Sequence, residues 1–249
     1  MNEKVYLYKL NNELISEEKL ISAVPRCRLE KAEKLKVESA RYESLVAGRL
    51  MVIALADYLG VTENQIIAEI DKFSTVSEAS KKVYPLKFRN VYYNISHSKQ
   101  YIAVAIAETA VGVDVEGKDD KDFKVTRRMF CAEDQLYVIG ETSEAENNSN
   151  VMLDIPVDGE SDTLAQARFR DVWTEKESFL KCTGQGISVP LKSFMTDKND
   201  GAVISKGYDM NGRQFYNKTE RLDGDDYSIS ICSENPNLIL DTIRVEVLI

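Results

Sequence analysis

The run Ser44-Leu45-Val46-Ala47-Gly48-Arg49-Leu50-Met51-Val52-Ile53-Ala54-Leu55 constrains this chain more than any other segment. It has a helical pattern, yet it is apolar on nearly every side rather than along one stripe. A helix of that kind must be covered all round. No apolar run in the chain approaches the roughly 18 residues that a membrane span needs. The run therefore predicts a buried helix in the core of a folded domain. The helical pattern around it extends over 28–59, and Gly60 is the predicted stop.

The flanking patterns supply the other layers. Residues 3–9 alternate Val5, Leu7 and Lys9 with Tyr6 and Tyr8, which predicts a strand. Ser16-Glu17-Glu18 before Leu20 and Ile21 signals a helix start, and Pro25 ends that helix. A short helix is predicted at Glu63–Glu69. Val91–Ile95 reads as a strand leading into a turn at Ser96-His97-Ser98. Tyr101–Ala107 and residues 110–116 follow as two more strands. Helices are predicted over 123–139 and from about Leu164 to Thr183, with Gly184-Gln185-Gly186 as the second stop. The remainder is β-rich, most cleanly at 227–232 and 243–248. The order implies an α+β (α/β) chain of two similar halves, 1–110 and 111–249. The acidic, aperiodic stretch 141–162 is a solvated insertion in the second half.

Length and composition agree with this. The 249 residues suffice for one large domain or two of ordinary size, and 43% hydrophobic with 29% charged residues suits a chain that buries a core. The net charge of −9 counts against a general nucleic-acid binder. Within that acidic chain Arg26, Arg28, Lys31, Lys34, Lys36 and Arg41 form a local basic stretch. The cysteines at 27, 131, 182 and 232 show no C-x-x-C spacing, so neither a zinc site nor a disulfide framework is expected. No secretory signal is legible at the start, and the expected location is cytoplasmic.

Three stretches carry candidate chemistry. Asp114 and Glu116 are two apart on a predicted strand, which turns both carboxylates to one face. Like charges so placed repel unless one is protonated or a cation neutralises both. The apolar neighbours Val111, Val113 and Val115 suggest an interior strand, where an unpaired acid is costly. His97 is the only histidine and stands between two serines, a setting able to hold phosphate. Glu177 and Lys181 are i and i+4 on a predicted helix that also carries Trp173. Each of these also has a bland alternative: an exposed strand face, a turn histidine, a surface ion pair.

In order and together, Tyr93-Asn94-Ile95-Ser96-His97-Ser98, Val111-Gly112-Val113-Asp114-Val115-Glu116 and Trp173-Thr174-Glu175-Lys176-Glu177-Ser178-Phe179-Leu180-Lys181 resemble the larger, Sfp-like 4′-phosphopantetheinyl transferases. The resemblance runs from about residue 20 to 235. It implies a fold of two pseudo-symmetric α/β halves with the active site in the cleft between them. The implied reaction moves the phosphopantetheine arm of coenzyme A onto a serine of an apo acyl or peptidyl carrier protein, with adenosine 3′,5′-bisphosphate released. Asp114, Glu116 and Glu177 are the implied magnesium ligands. Ser96, His97 and Lys181 are implied at the coenzyme phosphates, and Arg28, Lys31 and Lys82 at further coenzyme contacts. His97, Lys181 and Glu177 would be catalytic, with Glu177 as base directly or through a metal-bound water, and Lys176 as the alternative base. The implied protein is a monomer that binds neither nucleic acid nor membrane. Because carrier proteins are acidic, a local basic or apolar surface is expected near the cleft.

The chain departs from the family pattern at three places. Lys81-Lys82-Val83 stands where Gly-Lys-Pro is usual, Glu43 where Arg is frequent, and 141–162 is long. Two rival readings remain at this level: a metal-dependent nuclease using Asp114, Glu116 and Lys118, and an inactive module that only binds carrier proteins.

Overall fold

The computed structural model describes residues 3–10, 15–73, 86–118, 126–140, 163–224 and 226–249. Lys82 and the stretch 141–162 lie outside the described residues. Five strands form the first sheet: β1 (Lys4–Lys9), β2 (Leu86–Phe88), β3 (Val91–Ser98), β4 (Tyr101–Ala107) and, from the far end of the chain, Thr242–Arg244. Its order is Thr242–Arg244, β1, β4, β3, β2, and only the outermost pairing with β1 is parallel. The second sheet has β5 (Val111–Gly117) at one edge, Tyr227–Ser233 in the middle and Tyr216–Leu222 at the other edge. A hairpin pairs β6 (Phe194–Thr196) with β7 (Val203–Ser205). The three strands that follow are β8 (Tyr216–Leu222), β9 (Tyr227–Ser233) and β10 (Thr242–Arg244).

The first sheet is buried on both faces because its strands alternate two kinds of apolar residue. Tyr6, Tyr8, Ile102, Val104 and Ile106 meet the helical layer. Val5, Leu7, Tyr101 and the small Ala103, Ala105 and Ala107 meet Val111, Val113, Val115, Ile229 and Ile231 of the second sheet. Chain order, a period of two and apolar residues at both parities thus produce sheet-on-sheet packing.

The helical layer comprises α1 (Glu17–Ser22), α2 (Arg26–Glu33), α3 (Glu38–Leu59) and α4 (Glu63–Phe73). From Ser44 to Ala56, α3 is buried at every position but Ile53, as its all-round apolarity requires. It ends at Gly60, whose φ of 65° lets its N–H reach back to Ala56 and Asp57. After α5 (Thr126–Met129) and α6 (Ala132–Ile139), the long α7 (Thr163–Thr183) covers the outer face of the second sheet. Among the described residues no single helix is long and apolar enough to cross a membrane. The architecture is mixed α+β, as expected.

Four expectations need correction. The pattern over 28–59 is two helices, α2 and α3, because the chain turns at 34–37 and leaves Leu35 and Val37 exposed. The pattern over 123–139 breaks at Phe130, which leaves the helix to stack on Phe169 in the core. Ser96-His97-Ser98 is not a turn but the end of β3, paired with Ala103, Ile102 and Tyr101. Strand structure near the end of the chain covers only Thr242–Arg244. The tail continues to the helical layer, where buried Arg49 donates from Nε to the Leu248 carbonyl at 2.6 Å and also pairs with Glu63.

Candidate active site

The two sheets meet where β3 runs beside β5, and side chains join them there. Asn94 Oδ1 accepts from the Val113 N–H at 3.3 Å, Ser96 Oγ from Val115 at 3.3 Å and Ser98 Oγ from Gly117 at 3.1 Å. Alternate residues of β3 thus satisfy alternate N–H groups of β5, in place of a backbone ladder. The two serines then turn their own hydrogens on the carboxylates. Ser96 Oγ donates to Asp114 Oδ1 at 2.7 Å, and Ser98 Oγ to Glu116 Oε1 at 2.9 Å. The role of Ser98 was not anticipated. Its signal in the sequence is the Asn94, Ser96, Ser98 period of two, set 19 residues before Val113, Val115 and Gly117.

Helix α7 approaches β5 from the other side, and Gly112 permits it. A Cβ at Gly112 would lie 1.9 Å from the Ser178 carbonyl oxygen and 2.6 Å from the Cys182 nitrogen. Only a residue without a side chain fits under the helix backbone. This contact brings Lys181 to Asp114 Oδ1 at 2.6 Å, and Lys181 also donates to Ser96 Oγ and to the Val113 carbonyl, each at 3.1 Å. All three ammonium hydrogens are thereby engaged.

Asp114 is 6% exposed, and its Oδ2 is buried with no hydrogen-bond partner. An acceptor left so costs roughly 1–3 kcal/mol, more when charged. Glu177 is half-buried one turn before Lys181. Burial, then the negative charge of Asp114, hold its carboxyl above the usual range, with Lys181 opposing them. The three acids therefore flank one region, and hard oxygen donors with one unpaired buried oxygen fit a divalent cation such as Mg²⁺. As the side chains stand, no group of three His, Cys, Asp or Glu among the described residues is gathered tightly enough to hold a metal ion. Lys181 is the cation in contact with Asp114.

His97 falls between Ser96 and Ser98, so it faces the opposite side of β3, toward α2 and α3. Its Nδ1 is 3.4 Å from Glu43 Oε2, and the ring is half-exposed. Burial chiefly, then the charges of Lys31, Lys181 and Arg28, lower its pKa, while Glu43 raises it. Arg28 is seated by a second close approach. Its side chain lies over Gly48 of α3, where a Cβ would be 3.0 Å from Nε, and its Nη2 donates to the Ser44 carbonyl at 2.7 Å. The structure thus brings Arg28, Lys31, His97 and Lys181 into one cationic neighbourhood beside the three acids. Glu43, which sequence reasoning noted only as a departure, stands within it.

Lys176 is placed elsewhere. It is 2% exposed and donates to the Leu191 and Phe194 carbonyls at 2.8 and 2.6 Å, with Asp134 at 2.7 Å. It is a structural cation of the core behind α7. A cleft of about 480 Å³ lies along β8, with Asp171, Glu175, Lys198 and Arg221 on its walls and none of the expected site residues. Two of its acids are already matched, Asp171 by Arg221 and Glu175 by Lys198.

Residues 110–232, which carry Asp114, Glu116, Glu177 and Lys181, match the model of the 4′-phosphopantetheinyl transferase superfamily. Over that part, just under half of its length, the chain is similar to that superfamily. A 4′-phosphopantetheinyl transferase of Bacillus subtilis, ffp, is 22% identical over 97% of this chain and 97% of its own length. The enzyme Sfp of Bacillus subtilis strain 168 is 24% identical over 70% of this chain and 68% of its own. The transferase gsp of Aneurinibacillus migulanus is 24% identical over 66% of this chain, and the match spans 57% of that protein. The chain is therefore similar along nearly its whole length to a 4′-phosphopantetheinyl transferase, and over about two thirds of it to two more.

Proposed function

We propose that this protein is a transferase that moves the 4′-phosphopantetheine group of coenzyme A to a serine of an apo acyl or peptidyl carrier protein, with Mg²⁺ as cofactor and adenosine 3′,5′-bisphosphate as by-product. The observation that carries the reading is Asp114, held by Ser96 and Lys181 at one oxygen while the other is buried without a partner. Asp114, Glu116 and Glu177 would hold the metal ion. Bound there, the ion would neutralise charge on the pyrophosphate.

The protein's own groups supply the rest. Arg28 and Lys31 offer positive charge, and His97 an N–H donor, on the far side of β3 from the acids, suited to the coenzyme phosphates. Lys181 and Ser96 stand between the two sets. Because their hydrogens already reach Asp114, we assign Ser96 to fixing that carboxylate, and Lys181 to sharing its ammonium between Asp114 and the transferred phosphate. Lys82 is proposed as a further coenzyme contact on the resemblance alone. Glu177, on the helix turn before Lys181, is assigned as the general base that a weak serine nucleophile requires. Lys176, buried among three oxygens, is not available for that task. Arg26, Lys31, Lys34 and Lys36 are exposed along α2 and its following turn, with Leu35 and Val37 exposed among them. That mixed basic and apolar surface suits an acidic carrier.

The test is intact-mass measurement of several apo carrier proteins incubated with coenzyme A and this enzyme, with Mg²⁺ or with chelator. Gain of one phosphopantetheine, lost with chelator and in Asp114→Ala, is expected. No gain on any carrier would remove the reading.

A further inference from the structure

We propose that Ser98 is a positioning residue for Glu116, and that its hydroxyl sets how tightly the site takes a divalent cation. The inference rests on the metal reading above and adds a residue to it. Ser98 has one hydrogen, and the structure gives it to Glu116 Oε1 at 2.9 Å. Its lone pair is fixed in turn by the Gly117 N–H at 3.1 Å. The hydroxyl cannot rotate toward another acceptor without leaving both partners.

Its surroundings hold it there. The chain turns immediately after Ser98 through Lys99, at a φ of 50°. Gly117 is packed so closely that a Cβ would meet the Tyr227 ring at 2.6 Å and the Lys99 side chain at 3.0 Å. Tyr227 is set edge-on against Tyr101, with ring centroids 4.8 Å apart, and Tyr101 follows in the next strand. The donor is thus on rigid backbone, whereas its acceptor is a three-torsion side chain on a partly exposed position. A glutamate free to rotate would have to be ordered each time a cation arrives, and a pre-held one does not. Partners of metal-binding carboxylates commonly change metal affinity by about 10–100-fold when removed.

Asn94 provides the comparison. It makes the same kind of rung, to Val113, but donates to neither carboxylate of the site. If these rungs only join sheets, Asn94 and Ser98 should be equivalent. If Ser98 positions Glu116, only its loss should alter cation binding.

The experiment measures Mn²⁺ binding to the folded enzyme by electron paramagnetic resonance, with and without coenzyme A, alongside thermal midpoints. Ser98→Ala is expected to weaken Mn²⁺ by about 10-fold. Ser98→Thr, which keeps the hydroxyl, should bind as wild type, and Ser98→Val, its near isostere, should bind as the alanine variant. Asn94→Ala should lower the midpoint and leave Mn²⁺ affinity unchanged. Should the alanine variant not fold, the Thr and Val pair makes the same comparison. Equal affinity in the Thr and Val variants, or equal loss in Asn94→Ala, would overturn the role of Ser98 and leave the proposed function standing. Wild-type enzyme that binds no Mn²⁺ in either condition would overturn the metal reading and this inference together.

Discussion

Gly112→Ala is the sharpest perturbation available, because the geometry specifies what must move. The new methyl would stand 1.9 Å from the Ser178 carbonyl oxygen, and ordinary contacts begin at 3.4 Å, so α7 and β5 must separate by about 1.5 Å. Both obstructing groups are helix backbone, so no rotamer change relieves the clash. Lys181 travels with the helix, and its 2.6 Å bond to Asp114 and 3.1 Å bond to Ser96 would open to beyond hydrogen-bond range. Overpacking of this kind costs about 1–3 kcal/mol. In a chain of this length that lowers the thermal midpoint by roughly 2–4 °C for each kcal/mol. Catalysis should suffer more, since a misplacement of about 1 Å can reduce rate by about 100-fold. The assay pairs the thermal midpoint with kcat/KM for carrier loading. Gly60→Ala is the control: Gly60 has a φ of 65° but nothing within 4 Å of a new Cβ. It should lose about 1–2 kcal/mol through left-handed backbone strain and keep its loading rate. A Gly112→Ala enzyme with wild-type midpoint and rate would refute the reasoning that this close approach builds the site.

Three further outcomes are expected. Lys176→Met should lose about 3–5 kcal/mol in urea unfolding, because Asp134, 2% exposed, is left buried without its cation; the double variant with Asp134→Asn should regain much of it. Lys181→Met should lose less, about 2 kcal/mol, since that side chain is 21% exposed and screened, and Asp114→Asn in the same chain should again compensate. The pH dependence of stability should carry two opposite terms. His97, with its pKa lowered, contributes stability present above 6.5 and lost as pH falls through its folded value, a slope that His97→Gln removes. Glu177, with its pKa raised, contributes stability present below 4.5 and lost as pH rises through its folded value, a slope that Glu177→Gln removes. Urea midpoints at successive pH values read both.

How much was legible follows from which interactions are local. The all-round apolarity of 44–55 announces a buried helix, and the alternation in Tyr101–Ala107 and Val111–Glu116 announces interior strands, because both patterns reflect the period of one element. The same-face placement of Asp114 and Glu116 follows from that period alone. The helix breaks at 34–37 and at Phe130 carry neither Gly nor Pro, and arise from packing that no local pattern encodes. The separation of Lys176 from Lys181 is of the same kind. Five residues on a helix are about 140° apart, so they face different layers, but which one meets Asp114 depends on where β5 lies. The Asn94, Ser96 and Ser98 rungs show only as a period of two in the sequence, for a related reason: what a side-chain rung joins depends on the register between two strands of different sheets.

Strand β3 has a consequence for how such a site can vary. Its residues 96 and 98 serve the acids, while His97 serves the cationic side, so a single extended segment indexes both. A strand slipped by one residue exchanges its faces. One inserted or deleted residue within β3 would deliver imidazole to the carboxylates and hydroxyls to the cations, inverting the two sides of the site at once. Substitution can tune either side alone. A change of length cannot, and the segment from Asn94 to Ser98 is thereby held to a fixed count.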